Sequence, residues 1–312
     1  MNRKRFLKHS MITGVGAGLI GFAPDRLLAN KREDKRLTIL HTNDTHSRIG
    51  PFPKNASQYA GMGGVARRAT LIKKVRDQNP NTLLLDAGDV FQGTPYFDEY
   101  HGALDFRVMS KMGYDACAIG DHEFDNDVQG FCDVADKANF PFVCSNYNFG
   151  STEMSYLVQD FITKKVGDIK VGIFGLGVDF QDLVPDHLHK GVSYMNPVII
   201  SRKMVSELRH THHCDMVICL SHLGYDYDNY RVSDRLIASQ VDGIDLIVGG
   251  HTHTFLDKPE VFEKSDGRKT LVTQVGFAGI VLGRIDFEFN TQKKVTGAVA
   301  MNHAVGGPES YS

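Results

Sequence analysis

Short apolar runs alternate with segments of helical periodicity along most of this chain. Residues 37–40, 83–85, 116–119, 169–176, 216–220 and 246–248 are rich in Leu, Ile, Val and Ala and read as strands. Between them, residues 65–76, 102–112, 198–210 and 229–238 space their apolar positions for one face of a helix. In the first of these, Val65, Leu71, Ile72 and Val75 stand among Arg and Lys. Strands that are apolar along their whole length and alternate with helices predict an α/β domain with largely parallel strands. Downstream, residues 270–275, 283–290 and 295–301 read as strands, the last two joined by a hairpin at 291–294. The Gly-rich stretch 61–64 reads as a helix entry, and 177–189 as a loop. There is no internal repeat and no long linker, so residues 30–312 are expected to form one domain.

Five of the apolar runs end in the same kind of chemistry. They lead into Asp44-Thr45-His46, Gly88-Asp89, Gly120-Asp121-His122-Glu123, Ser221-His222 and Gly250-His251-Thr252-His253. Taken singly, each has an ordinary explanation. Gly-Asp is a turn signal, Asp121 could cap a helix with Glu123 at its positive end, and a solitary His222 suits a hydrogen-bonded core. Their joint order is less easily explained, because open α/β sheets place their sites beyond the carboxyl ends of the strands. Asp44 and His46, two apart at a strand end, are expected to face one way. The whole set is expected to converge on one edge of one sheet. Carboxylates with neutral imidazoles suit Zn, Mn, Fe or Co, and a pair of such ions about 3.5–4 Å apart needs a carboxylate shared between them. The pattern predicts a two-metal hydrolase site in which metal-bound hydroxide attacks, with no Ser, Cys or Thr nucleophile. His187, His189, His210, His212 and His213 follow no strand and are expected to take no part.

Composition narrows the setting. Hydrophobic residues at 42% and charged residues at 23% suit a globular chain. Five of the Lys and Arg but a single Asp fall in residues 1–29, so the remainder is more acidic than the formal −2 of the whole. No basic run outside the N-terminus supports nucleic-acid duplex binding. The basic stretch Arg3-Lys4-Arg5-Phe6-Leu7-Lys8 precedes a weakly apolar stretch at 11–22, too short to span a bilayer. Residues 1–29 therefore read as an export signal, and the protein as periplasmic or extracellular, with no integral membrane segment in the mature chain. The stretch resembles a twin-arginine signal with Lys4 in place of the second Arg, which leaves twin-arginine and Sec export both open. Leu27-Leu28-Ala29 is an imperfect cleavage site. The five cysteines sit mostly in apolar runs and read as buried thiols.

The stretches 38–46 and 85–96, with His122-Glu123-Phe124-Asp125 and Gly249-Gly250-His251-Thr252-His253, resemble the calcineurin-like metallophosphoesterase superfamily. More closely they are similar to the catalytic domain of bacterial exported 5′-nucleotidases, over roughly residues 36–290. The resemblance implies a four-layer αββα sandwich of two mixed sheets. It implies one ion held by Asp44, His46, Asp89 and His253, and another by Asp89, Asp121, His222 and His251. His122 then matches the histidine that stabilises the transferring phosphoryl group, and Asp125 the carboxylate that orients it. The implied function is that of an exported phosphomonoesterase acting on a small, nucleotide-like phosphate ester.

Two departures follow. The family has Asn where this chain has Asp121, and the extra negative charge is expected to make the second ion a weaker Lewis acid. The chain also ends at Ser312, soon after the catalytic domain, so the base-stacking and phosphate-binding residues of two-domain relatives are expected to be absent. Two further functions stay open. One is a 2′,3′-cyclic-nucleotide phosphodiesterase. The other is a catalytic half that docks a separate substrate-binding chain through Phe91, Tyr96, Phe97 and Tyr147.

Overall fold

Residues 18–20, 35–265 and 267–307 are described by the computed structural model. The first sheet has eight strands. In spatial order they are β1 (Gly18–Ile20), β16 (Val295–Ala304), β15 (Val281–Phe289), β2 (Lys35–Thr42), β3 (Thr82–Asp86), β4 (Ala116–Ala118), β5 (Phe142–Val143) and β7 (Val158–Gln159). The second has six, in the order β13 (Glu260–Glu263), β14 (Lys269–Thr273), β12 (Leu246–Gly249), β11 (Met216–His222), β9 (Ile169–Gly177) and β8 (Phe161–Val166). A two-stranded ribbon pairs β6 (Tyr147–Asn148) with β10 (Ser193–Tyr194). Both large sheets are parallel at their centres, β2 to β7 in one and β9, β11, β12 and β14 in the other. Antiparallel strands close them at β15 and at β8 and β13.

Alternation along the strands decides the layering. Leu37 and Ile39 of β2, Leu83 and Leu85 of β3 and Ile285 and Phe287 of β15 point inward. They meet Val171, Ile173, Ile218, Leu220 and Val248 of the second sheet in one buried core. The intervening residues point outward. On the first sheet Leu40 and Leu84 pack under the helices α1 (Val65–Gln78), α2 (Pro95–Tyr100), α3 (Ala103–Met112) and α4 (Asp127–Ala135). On the second, Val217, Cys219 and Ile247 pack under α5 (Pro197–Ser206) and α6 (Asp234–Gln240). The result is the αββα sandwich that the resemblance implies. Ile218 is fully buried between the sheets, so Ile218→Ala would cost about 2–5 kcal/mol.

Local chemistry sets the helix boundaries. Asn196 accepts the N–H groups of Val198 and Ile199 and is followed by Pro197, which opens α5. The helix expected over 229–238 starts only at Asp234, because the Ser233 hydroxyl accepts the N–H of Leu236 and ends the loop there. α2 is absent from the sequence reading because its six residues are too few to show a period, and α4 because Gly130 lowers helix propensity, although Val128, Phe131, Cys132 and Ala135 keep an unbroken apolar face. The cysteines are free thiols, four of them buried. Phe91, Phe97 and Tyr147 are core residues, which removes the expected apolar docking patch and leaves only Tyr96 exposed. Among the described residues no helix is long and apolar enough to cross a membrane. The export signal read at 1–29 lies outside the described residues, apart from the three of β1.

Candidate metal centre

The parallel registers bring the carboxyl ends of the central strands of both sheets to one edge. Thr42 pairs with Asp86 in the first sheet, and Ser221 with Gly249 in the second. The expected single-sheet edge is therefore a seam between two sheets. Asp44, His46, Asp89 and Asp121 come from loops of the first; from the second come His222, which ends β11, and His251 and His253 of the loop after β12.

The seven residues form two groups. Ligand atoms of Asp89, Asp121, His222 and His251 all lie within 4.8 Å of one another, as do those of Asp44, His46 and His253. Asp89 also falls within that distance of His46 and His122. His222 Nε2 is 3.0 Å from Asp89 Oδ2 and 3.3 Å from Asp121 Oδ1. His251 Nδ1 is 2.9 Å from Asp121 Oδ1, and His253 Nε2 is 3.3 Å from Asp44 Oδ1. His46 and His253 turn their Nε2 atoms toward each other at 2.9 Å.

Backbone geometry makes this convergence possible. Asp44, His46, Asp89, His251 and His253 all have φ between 47° and 69°, the left-handed region that L residues seldom adopt. Asp44 and His46 therefore sit on a curled loop beyond β2, and the expected alternation along a strand end does not apply to them. The neighbouring glycines supply space. A Cβ on Gly120 would lie 2.2 Å from Asp89 Oδ1, and one on Gly250 would lie 2.8 Å from His222 Nδ1. Five of seven side chains on strained backbone points to a function at this place.

Partners behind the cluster fix its orientation. His46 Nδ1 is 3.0 Å from the Phe91 carbonyl, and His222 Nδ1 is 2.7 Å from that of Ala87. A carbonyl can only accept, so these Nδ1 atoms carry protons and the Nε2 atoms are turned to the cluster. The Asp44 carboxylate accepts the His251 N–H, and Asn43 Nδ2 donates to Asp44 Oδ2 at 2.6 Å. Asp121 stands at the start of a short 3-10 turn but makes no cap hydrogen bond with its side chain. Its carboxylate is turned to the histidines instead.

Glu123 is the residue whose part the sequence reading missed. It is buried, and its two oxygens accept backbone N–H groups of Asp89, Val90, Phe91 and Gly120 at 2.6–3.3 Å. It thereby pins the Gly88-Asp89 and Gly120-Asp121 loops together. Its place two residues after Asp121 was visible, but the four donors belong to backbone that sequence spacing does not position. His122 Nδ1 is 2.9 Å from Asp125 Oδ2.

The electrostatics follow from burial and charge. Burial drives His46 below the ordinary histidine value, against the pull of Asp89 and Asp44, which suits a neutral imidazole. Burial also acts to lower His222, but Asp89 and Asp121 outweigh it and raise its pKa well above normal. Burial opposes ionisation of Asp121, yet the close approach of His222 and the hydrogen bond with His251 hold it well below the usual carboxylate range. For His122, desolvation is overcome by the Asp125 hydrogen bond and the charges of Asp89 and Asp121, which lift it to about 9.

The donor set suits a metal ion. His222 Nε2 is fully buried and close to two carboxylates, yet makes no properly angled hydrogen bond. A nitrogen so placed, among carboxylates on strained loops, has the donor character of a ligand to a divalent cation.

Known proteins share this plan. The family model for calcineurin-like phosphoesterases matches residues 37–255. The bovine 5′-nucleotidase is 35% identical over 282 residues, a match spanning 83% of this chain and 47% of that protein. A trifunctional nucleotide phosphoesterase of Bacillus subtilis is 31% identical over 286 residues, which is 81% of this chain and 18% of its own length. The solved 5′-nucleotidase precursor of Thermus thermophilus superposes with a TM-score of 0.79 at 31% identity, covering 87% of this chain and 55% of that one. The chain thus spans about half the length of the 5′-nucleotidases it matches. A match over most of the strands that carry the cluster, in family model and solved structure alike, shows that this chain belongs to the calcineurin-like phosphoesterase family.

Proposed function

We propose that this protein hydrolyses phosphomonoesters of a nucleotide-like kind, using two divalent transition-metal ions. Asp44, His46, Asp89 and His253 would hold one ion, and Asp89, Asp121, His222 and His251 the other, with Asp89 shared. One observation carries the reading: Asp89 clusters with Asp121, His222 and His251 on one side and with His46 on the other, as a carboxylate shared between two ions would. The donor set of carboxylates and imidazoles favours Zn, Mn, Fe or Co. Bound there, such ions supply Lewis acidity toward phosphoryl oxygens and lower the pKa of water.

The chain's own residues do the rest. Asp125 accepts from His122 Nδ1 and keeps the ring as imidazolium, which leaves the Nε2 proton to meet charge building on the phosphoryl group. The backbone N–H of His122 donates to Asp89 Oδ1 at 3.0 Å, so the histidine and the shared carboxylate keep a fixed spacing. The 5′-nucleotidase relatives support a nucleotide monoester as substrate, and the basic run at 3–8 supports action outside the cytoplasm. Purified protein reconstituted with Mn or Zn should release phosphate from nucleoside monophosphates and p-nitrophenyl phosphate. Phosphate release from none of a panel of mono- and diesters, with two ions bound, would refute the reading.

A further inference from the structure

A cleft of about 240 Å³ opens beside the cluster, lined by His46, Arg48, Gln92, His122, His253 and Phe277 among others. Arg48 is the one cation there outside the groups already described. Its guanidinium lies 4.4 Å from the centroid of the Phe52 ring. Stacking on a ring face holds the plane of a guanidinium without using its in-plane N–H donors. Arg48 Nε is buried without a hydrogen-bond partner, and no carboxylate pairs with the side chain among the described residues. Arg68 Nε is likewise buried without a partner but does not line this cleft, and three other arginines are paired. Arg76 donates to the carbonyls of Met112 and Gly113, Arg235 pairs with Asp226 and Glu260, and Arg284 pairs with Asp286. A half-buried cation resting over a ring, with no hydrogen bond from its side chain among the described residues, is a receptor for an anion.

Position narrows the anion. The cleft joins the cluster directly, so Arg48 stands where a group next to a phosphoryl group at His46, His122 and His253 would lie. His46, His122 and His253 already face a phosphoryl group in the reading above. We propose that Arg48 is a specificity residue that binds a second anionic group of the substrate, a phosphate or carboxylate carried next to the phosphoryl group being transferred. The guanidinium fork meets either group with two parallel hydrogen bonds. A phosphate ester without a second charge leaves Arg48 unmet. This inference rests on the phosphoesterase reading for where the first group lies.

Equilibrium binding tests it without turnover. Calorimetry on Mn-loaded protein would compare orthophosphate, methylenediphosphonate and phosphonoacetate in the parent, R48Q and R48K proteins. Chelation of free Mn by a probe is common to all three proteins and cancels when they are compared. R48Q should reduce affinity for a two-headed probe, relative to orthophosphate, by about tenfold or more, the effect of losing a charge-assisted hydrogen bond. R48K, which keeps the charge and loses the fork, should fall between, and it carries the test if R48Q does not fold. Loss with methylenediphosphonate alone identifies a phosphate as the second group, and loss with phosphonoacetate alone a carboxylate. An equal loss for all three probes would place Arg48 on the transferred group and overturn the proposal, as would an unchanged ratio. A parent that hydrolyses no ester would refute the proposed activity while leaving these ratios readable.

Discussion

In the His/Asp cluster, most side chains stand on left-handed backbone and have a second partner behind them. In the cleft alongside, Arg48 has an aromatic ring beneath it, Gln92 is exposed and Phe277 stacks on His253 at 5.1 Å. The first region is over-determined: Glu123 ties two loops, backbone carbonyls fix two imidazoles, and Asn43 holds Asp44. In the second, Gln92 and Ala278 share the left-handed backbone, but the Arg48 and Gln92 side chains have no hydrogen-bond partner among the described residues. Chemistry that must meet a transition state needs groups fixed in advance, whereas recognition of varied leaving groups tolerates looser ones. Substitutions in the cluster should therefore act on metal and rate, and those in the cleft on selectivity.

The sharpest break would come at Asp89. Asp89→Asn should lower affinity for both ions by more than about a hundredfold, beyond the loss usual for a residue that only supports a ligand. Elemental analysis and calorimetry with Mn would show it. Two ions retained at parental affinity would dissolve the distinction between the regions. His122→Ala comes next. Turnover should fall about 10²–10⁴-fold with metal content unchanged, and loss of an ion in that variant would move His122 into the ligand set.

Asp125→Asn probes a smaller effect with a definite sign. The Asp125 hydrogen bond raises the His122 pKa, so with that carboxylate present the imidazolium persists to higher pH. Without the carboxylate, the alkaline limb of the pH–rate profile should move toward neutral pH. An unmoved limb would mean that His122 does not set it. The mildest change expected is Asp121→Asn. Removing one negative charge should weaken the second ion's binding and lower the apparent pKa of the acidic limb, because an ion's net positive charge sets the acidity of its water. At saturating metal, near neutral pH, this variant should be at least as active as the parent. An unchanged profile and unchanged affinity would return Asp121 to a structural role.

Much of the fold was legible because strands buried on both faces leave continuous apolar runs. The runs at 37–40 and 216–220 became β2 and β11, and the hairpin at 291–294 joins β15 to β16. What periodicity could not show was that the strands divide between two sheets, since a run of Leu and Val looks the same in either. The left-handed turns were hidden for a related reason. Asp44 and His46 are not glycines, and nothing local announces that tertiary contacts will hold them at positive φ. Glu123 and Arg48 were overlooked because their importance lies in what surrounds them: four backbone donors for one, an aromatic ring and an open cleft for the other.

The contact between Asp44 and His251 has a consequence in time as well as in space. The Asp44 carboxylate accepts the N–H of a residue 207 positions further along, and Asn43 is joined to Val275 and Gly276. A ribosome that has delivered the first sheet's central strands has put out Asp44, Asp89 and Asp121 but none of the three histidines from the second sheet. Those carboxylates then face one another without the nitrogens that neutralise them, and their loops lack the contacts that hold strained backbone in place. On the proposed ligand assignment, capture of both ions waits until His253 has left the ribosome. A chain broken off before that point is then expected to retain neither at full affinity, and metal content would report on whether synthesis reached the loop that carries His253.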